Sequence, residues 1–176
     1  MDIMIDLEAL DVTPTATILT IGAQMFDPLG EGIPEGDHTS LYARVTLESQ
    51  AARTIDDGTL AWWGTQPQEA QDEVFNEEGR IPLTEMLERL YKMVWQSKRV
   101  WANGPTYDMT ILENAYKQEG MALPWKYHVV RDTRTVYGLW PDLPKPEAAH
   151  HALDDCWRQI ALLQATLQHL KVKEIT

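Results

Sequence analysis

The chain has 176 residues and a mass of 20.1 kDa, the size of one compact domain. Its 27 acidic and 15 basic residues give a net charge of −12 and a pI near 4.7. That balance argues against an electrostatic clamp on DNA or RNA and against docking on an anionic membrane, while the lone Cys156 excludes an internal disulfide and a cysteine-rich zinc site.

In Ile3–Leu10, apolar Ile3, Ile5 and Leu7 alternate with Met4, Asp6 and Glu8, a period of two that predicts a strand. Thr17–Phe26 is β-branched and apolar and predicts a second strand. Asp27–Gly30 is turn chemistry, and Leu41–Thr46 completes an antiparallel meander. Helices follow. Thr59–Thr65 is short and carries Trp62 and Trp63. Pro67 starts a second helix that runs through Phe75. Pro82 starts a long one to Ser97, with Leu83, Met86, Leu87, Leu90, Tyr91 and Val94 as its apolar stripe. The pattern then alternates: strand Arg99–Ala102, helix Tyr107–Glu119 stopped by Gly120, strand Tyr127–Val130, short helix Asp132–Tyr137. A proline-rich loop, Trp140–Pro146, leads to a final helix, Ala152–Leu170, with Leu153, Trp157, Ile160, Leu163 and Leu167 on or near one face. Strands first and alternation after predict a mixed sheet flanked by helices.

No run of about 18 apolar residues exists. The start Met1–Asp6 carries no basic flank of a secretory leader, so a cytoplasmic protein of one domain, residues 1–176, is expected. The charge is uneven: residues 1–88 hold 18 acidic and 3 basic side chains, residues 89–134 hold 4 and 8. An acidic excess is most often a solvated surface; the alternative is that some carboxylates collect metal cations.

Asp6 and Glu8 lie two apart on the first strand and share a face. Two adjacent acids repel and cost desolvation on a core strand, and a divalent cation removes both problems. An exposed edge strand with two solvated acids fits the pair equally well. Asn103–Asp108 follows a strand and opens a helix, where either Thr106 or Asp108 can serve as cap, and Tyr107 fits a core or a substrate contact. Pro146–Asp155 leads into the last helix. Paired histidines in a loop are usually inert, yet His150 and Asp155 sit at the same helix end and can reach one site.

In order and spacing, Asp6-x-Glu8, Asn103-xxx-Tyr107-Asp108 and His150-xxxx-Asp155 resemble the three motifs of the DEDDh 3′–5′ exonucleases of the ribonuclease H-like superfamily. The resemblance runs through nearly the whole chain. Met4–Glu8, Ile18–Ala23, Trp62–Trp63, Arg131–Thr135 and His150–Asp155 look most like the phage and prophage exonuclease VIII-like group of T4 exonuclease A type. It implies an α/β, ribonuclease H-like (DnaQ-like exonuclease) fold with a five-stranded mixed sheet and helices on both faces. It implies that Asp6, Glu8, Asp108 and Asp155 hold two Mg²⁺ or Mn²⁺ ions and that His150 is a mobile general base. The family's five-residue interval selects His150 and Asp155 over His151 and Asp154, and leaves His151 without a role.

Two ions roughly 3.5–4 Å apart suit phosphodiester hydrolysis, because they activate a water and stabilise the leaving oxygen. A histidine titrating near neutrality takes the water's proton. One of Trp62 and Trp63 is expected in the core and the other on a base near the 3′ end. The resemblance also places Ala9 and Leu10 against the terminal nucleotide, with Thr15 nearby, and Asn103 and Tyr107 at the substrate. Arg131 and Arg134, with Lys126, are candidate phosphate contacts or ordinary surface ion pairs. The expected activity is 3′–5′ exonucleolysis of single-stranded DNA to nucleoside 5′-monophosphates. RNA or short oligoribonucleotides are the alternative substrate, an inactive nucleic-acid-binding module a second alternative, and a small-ester phosphohydrolase a third. Some relatives pair into homodimers.

Overall fold

The computed structural model describes residues 1–34, 36, 38–144 and 150–175. Strands β1 (Asp2–Ala9), β2 (Ile18–Phe26) and β3 (Ser40–Arg44) form the expected antiparallel meander. Three helices come next: α1 (Asp57–Trp63), α2 (Gln68–Val74) and α3 (Leu83–Val94). Then β4 (Val100–Ala102), α4 (Pro105–Gln118), β5 (Val130–Asp132), α5 (Thr133–Tyr137) and α6 (Ala152–His169) complete the chain. The sheet order is β3-β2-β1-β4-β5. β4 and β5 run parallel to β1, so the sheet is mixed. No helix of the described residues is long and apolar enough to cross a membrane.

The period of two in β1 divides the molecule. Ile3, Ile5 and Leu7 point to one face and pack with Met86, Leu87 and Leu90 of α3 and Met109, Leu112 and Tyr116 of α4. Met4 points to the other face and packs with Trp101 and with Cys156, Ile160 and Leu163 of α6. Asp6 and Glu8 follow Met4 on that second face, so α6 must meet an apolar floor at one end and an acidic one at the other.

Two local expectations shift. Tyr127–Val129 is a 3₁₀ turn, and the strand begins at Val130. Tyr127 is 89% exposed, and the pairing with Val100–Ala102 starts only at Val130. On α6 the buried stripe is Ala152, Cys156, Ile160, Leu163 and Leu167. Leu153 and Trp157 fall beside it; Trp157 is 40% exposed and its indole N–H donates to Gln24 Oε1 at 2.9 Å. The stripe is rotated because Asp155 and Gln159 occupy buried positions that an apolar pattern does not reveal. The loop after Trp140 is irregular through Pro144, and Lys145 and Pro146 lie outside the described residues.

Candidate metal centre and nucleic-acid site

The site begins with strand register. Asp6 pairs with Gly22 and Glu8 with Thr20 across β1 and β2. The start of α6 lies directly on Gly22: a Cβ there would stand 2.3 Å from the Ala152 carbonyl carbon and 2.4 Å from Leu153 N. Only glycine lets the helix come that close. From this contact α6 carries Asp155, and Gln159 one turn later, over the acidic end of β1. Asp6, Glu8 and Asp155 each present a carboxylate oxygen, and all three oxygens lie within 4.8 Å of one another.

Asp108 enters from the other side. Gly104 adopts a left-handed φ of 104°, and Pro105 then starts α4 with a preset helical φ. Neither Thr106 nor Asp108 caps this helix. Instead the buried Asp108 carboxylate accepts a hydrogen bond from the Leu7 amide at 3.3 Å, the peptide N–H between the two acids of β1. The four carboxylates line one cleft of about 260 Å³ with Asn103, Tyr107, Arg134, His150, Arg158 and Gln159.

The acids pay for their proximity in protonation. Burial, with repulsion from Asp108 and Glu8, pushes the Asp6 carboxyl well above its usual range. Burial, with repulsion from Asp155 and Asp108, raises Glu8 to about 8. Burial raises Asp108 to about 7, against hydrogen bonds from backbone amides and the charge of Arg134. Burial and the same carboxylates push the Tyr107 hydroxyl up as well. Such a cluster is unfavourable without a cation and suits a hard one, which prefers oxygen donors. Gln159 Nε2 donates to Asp6 Oδ1 at 2.7 Å, while the buried Gln159 Oε1 has no hydrogen-bond partner among the described residues.

The two histidines diverge. His150 holds a left-handed φ of 54°, uncommon for a residue with a Cβ. It lines the cleft, and its ring meets Trp62 and Trp63, which lie outside the lining, edge-on at 5.2 and 5.9 Å between centroids. His151 turns away, stacks on Tyr42 at 4.3 Å, and caps α6 by accepting from the Asp154 amide at 3.2 Å.

The two tryptophans diverge as well. Trp63 is 1% exposed and donates to the Ala9 carbonyl at 3.1 Å, so it is the core residue; Trp62 is 44% exposed. Ala9 and Leu10 are buried, with Leu10 packed on Leu19, Trp63 and Val74, and neither lines the cleft. Thr15 lies in a hydroxyl network with Thr13 and Thr54, outside the cleft lining. Arg131 donates to the carbonyls of His128 and Val130 and is likewise not in the lining, and Lys126 lines a separate cavity with Trp95 and Trp125. Of the proposed phosphate contacts, Arg134 alone reaches the cleft, where its Nε donates to Asn103 Oδ1 at 3.3 Å. Arg158, 3.7 Å from Asp155, and Gln159 are site residues that the motifs do not name. Helical spacing from Asp155, at i+3 and i+4, is the signal that finds them.

A family model described as the 3′-5′ exoribonuclease Rv2179c-like domain matches residues 1–167. No curated protein matches the sequence. Among solved structures, the nuclease domain of 3′hExo, a DEDDh family member bound to rAMP, superposes with a TM-score of 0.63 at 15% identity, covering 99% of this chain and 94% of that one. The RNase domain of the yeast Pop2 protein gives 0.60 at 12%, covering 96% and 78%. S. pombe Pop2p in its Mg²⁺- and Mn²⁺-bound form gives 0.61 at 13%, covering 99% and 85%. At these identities the likeness establishes the fold, which is that of the ribonuclease H-like DEDDh exonucleases.

Proposed function

The chain belongs to the Rv2179c-like 3′-5′ exoribonuclease domain family, and from that premise we propose how its site works and on what. The enzyme is a divalent-metal-dependent 3′–5′ exonuclease of DEDDh type. Asp6, Glu8, Asp108 and Asp155 hold two Mg²⁺ or Mn²⁺ ions. The observation that carries this reading is the convergence of three carboxylate oxygens within 4.8 Å, with Asp108 beside them in the same cleft. Divalent cations bound there lower the pKa of water and stabilise negative charge on the leaving oxygen.

The remaining work falls to the chain. His150 accepts a proton from the attacking water at a ring nitrogen. Trp62, half exposed and edge-on to His150, receives the terminal base. Arg134 and Arg158 balance the phosphate charge beside the acids. The water oxygen bonds to phosphorus, the bond from phosphorus to the 3′-oxygen breaks, and that oxygen takes up a proton. The products are a nucleoside 5′-monophosphate and a chain shorter by one residue.

RNA is the substrate favoured by the family description and by the rAMP bound to a neighbour of this fold. Single-stranded DNA is the second reading, carried by the resemblance of Met4–Glu8 and His150–Asp155 to phage DNA exonucleases. A matched pair of 5′-labelled oligomers, one RNA and one DNA, decides between them when digested in Mg²⁺. Faster shortening of RNA supports the first reading, faster shortening of DNA the second, and no shortening of either overturns both.

A further inference from the structure

A second cavity of about 450 Å³ adjoins the acidic cleft. Tyr137, Trp140, Pro141 and Leu143 form its apolar walls, and Asn103 and Arg134 stand at the boundary. Asn103, Arg134, Tyr137 and Leu162 line both spaces, so the two are continuous. The volume accommodates a nucleobase, and the lining is the usual one for a planar ligand: aromatic surface with a few polar groups at the mouth.

Its position relative to Trp62 follows from the sheet order. β1 carries Asp6 and Glu8, with β2 on one side and β4 and β5 on the other. The Trp62–Trp63 pair belongs to the β2 side, where Trp63 is bonded to Ala9 at the end of β1 and packed on Leu19 of β2. Asn103 follows β4, and Arg134 follows β5. The two aromatic sites therefore flank the acids from opposite sides. A phosphodiester lying over those acids has its terminal nucleoside on one side and the nucleoside of the leaving 3′-oxygen on the other.

Trp140 is also held ready. Its indole stacks on His169 at 4.1 Å with the rings 4° from parallel. Tyr137 is fixed by donating its hydroxyl proton to the Gln159 carbonyl at 2.8 Å, on the helix that carries Asp155. A wall pinned in this way loses little side-chain entropy when a ring binds against it.

We propose that this cavity is the subsite for the penultimate base, with Trp140 and Tyr137 holding the base and Arg134 meeting the phosphate between the two nucleosides. The inference rests on the exonuclease reading. The enzyme then grips the leaving nucleoside as well as the terminal one, and a single missing base at that position weakens the substrate.

The test compares a short labelled oligonucleotide carrying a normal penultimate base with one that is abasic there, each with wild type and with Trp140→Ala. Stacking of one base predicts that Trp140→Ala lowers kcat/KM on the normal substrate about 5- to 150-fold, that most of this loss disappears on the abasic substrate, and that Trp140→Phe restores most of the rate. Equal losses on both substrates, or no loss on either, overturn the subsite. Binding of the normal oligonucleotide, read by fluorescence anisotropy in Ca²⁺, keeps the two readings apart. Wild type that binds without cleaving in Mg²⁺ overturns the exonuclease reading alone. Trp140→Ala that binds as tightly as wild type, with both folded by circular dichroism, overturns the subsite alone.

Discussion

Gly22 and Ala152 meet where β2 runs beneath the first turn of α6, with no room for a Cβ between them. Gly22 is also the register partner of Asp6. One close contact therefore sets the height of α6 above the sheet and the position of Asp155 above Asp6 and Glu8. Gly22→Ala forces backbone against backbone, which no rotamer change relieves, and is expected to cost about 3 kcal/mol or more. Urea unfolding measures the loss. Any folded fraction should bind Mn²⁺ more weakly than wild type, because Asp155 is displaced with the helix.

Asp6→Asn separates stability from activity. The acid is held well above its ordinary range by burial and by Asp108 and Glu8. An amide in its place removes that repulsion and still offers an oxygen to Gln159 Nε2. In chelator the variant is expected to melt higher than wild type, and in Mg²⁺ its activity is expected to be down by at least about a thousandfold. Parallel thermal scans and rate assays check both halves.

The carboxyl shifts fix the sign of a pH effect. Glu8 titrates at about 8 and Asp108 at about 7 in the folded chain, against ordinary values of 4.5 and 3.8. Between those values the folded state binds more protons than the unfolded state, so stability falls as pH rises. In the metal-free protein the contribution of these two groups is expected to be fully present below about pH 4 and to be lost steadily as pH rises towards about 8. Mg²⁺ should reverse the loss most strongly at the alkaline end, because binding then displaces fewer protons. Denaturation midpoints with EDTA and with Mg²⁺ across this range test the account; a metal-free midpoint that rises with pH contradicts it.

His150 and His151 should fail in different ways. His150→Ala is expected to lower the rate about 10²- to 10⁴-fold, the usual worth of a general base, with the fold intact. His151→Ala removes a helix cap and the stack on Tyr42. It is expected to cost about 1 kcal/mol of stability and to leave most of the rate. The sequence pattern alone assigns His151 no role, because a side chain that caps its own helix is invisible until the backbone is known.

The same limit explains what else the sequence withheld. Alternation in β1 and the stripe of α3 are local periodicities, and both elements stand where they are read. The four acids proposed as metal ligands were legible because chemistry limits the residue types and the family motifs fix their order. Gln159 and Arg158 were not, since a glutamine or arginine on an amphipathic helix looks like solvent-facing surface until Asp6 is placed beneath it. Leu10 and Trp63 followed the ordinary rule for large apolar side chains and packed on each other, which leaves Trp62 as the exposed ring. Arg131 and Arg134 are three apart, yet Arg131 belongs to the strand and Arg134 to the helix after it. That change of element sends only Arg134 into the cleft.

The most direct test of the central claim follows the first nucleotide released. A single-stranded RNA labelled in its terminal nucleotide is incubated with Mg²⁺, with EDTA, and with the Asp155→Asn variant in Mg²⁺. The four-acid site predicts that the label appears first as a nucleoside 5′-monophosphate, and that release stops in EDTA and in the variant. Label leaving in a longer fragment, or release that persists in EDTA or in Asp155→Asn, would contradict it.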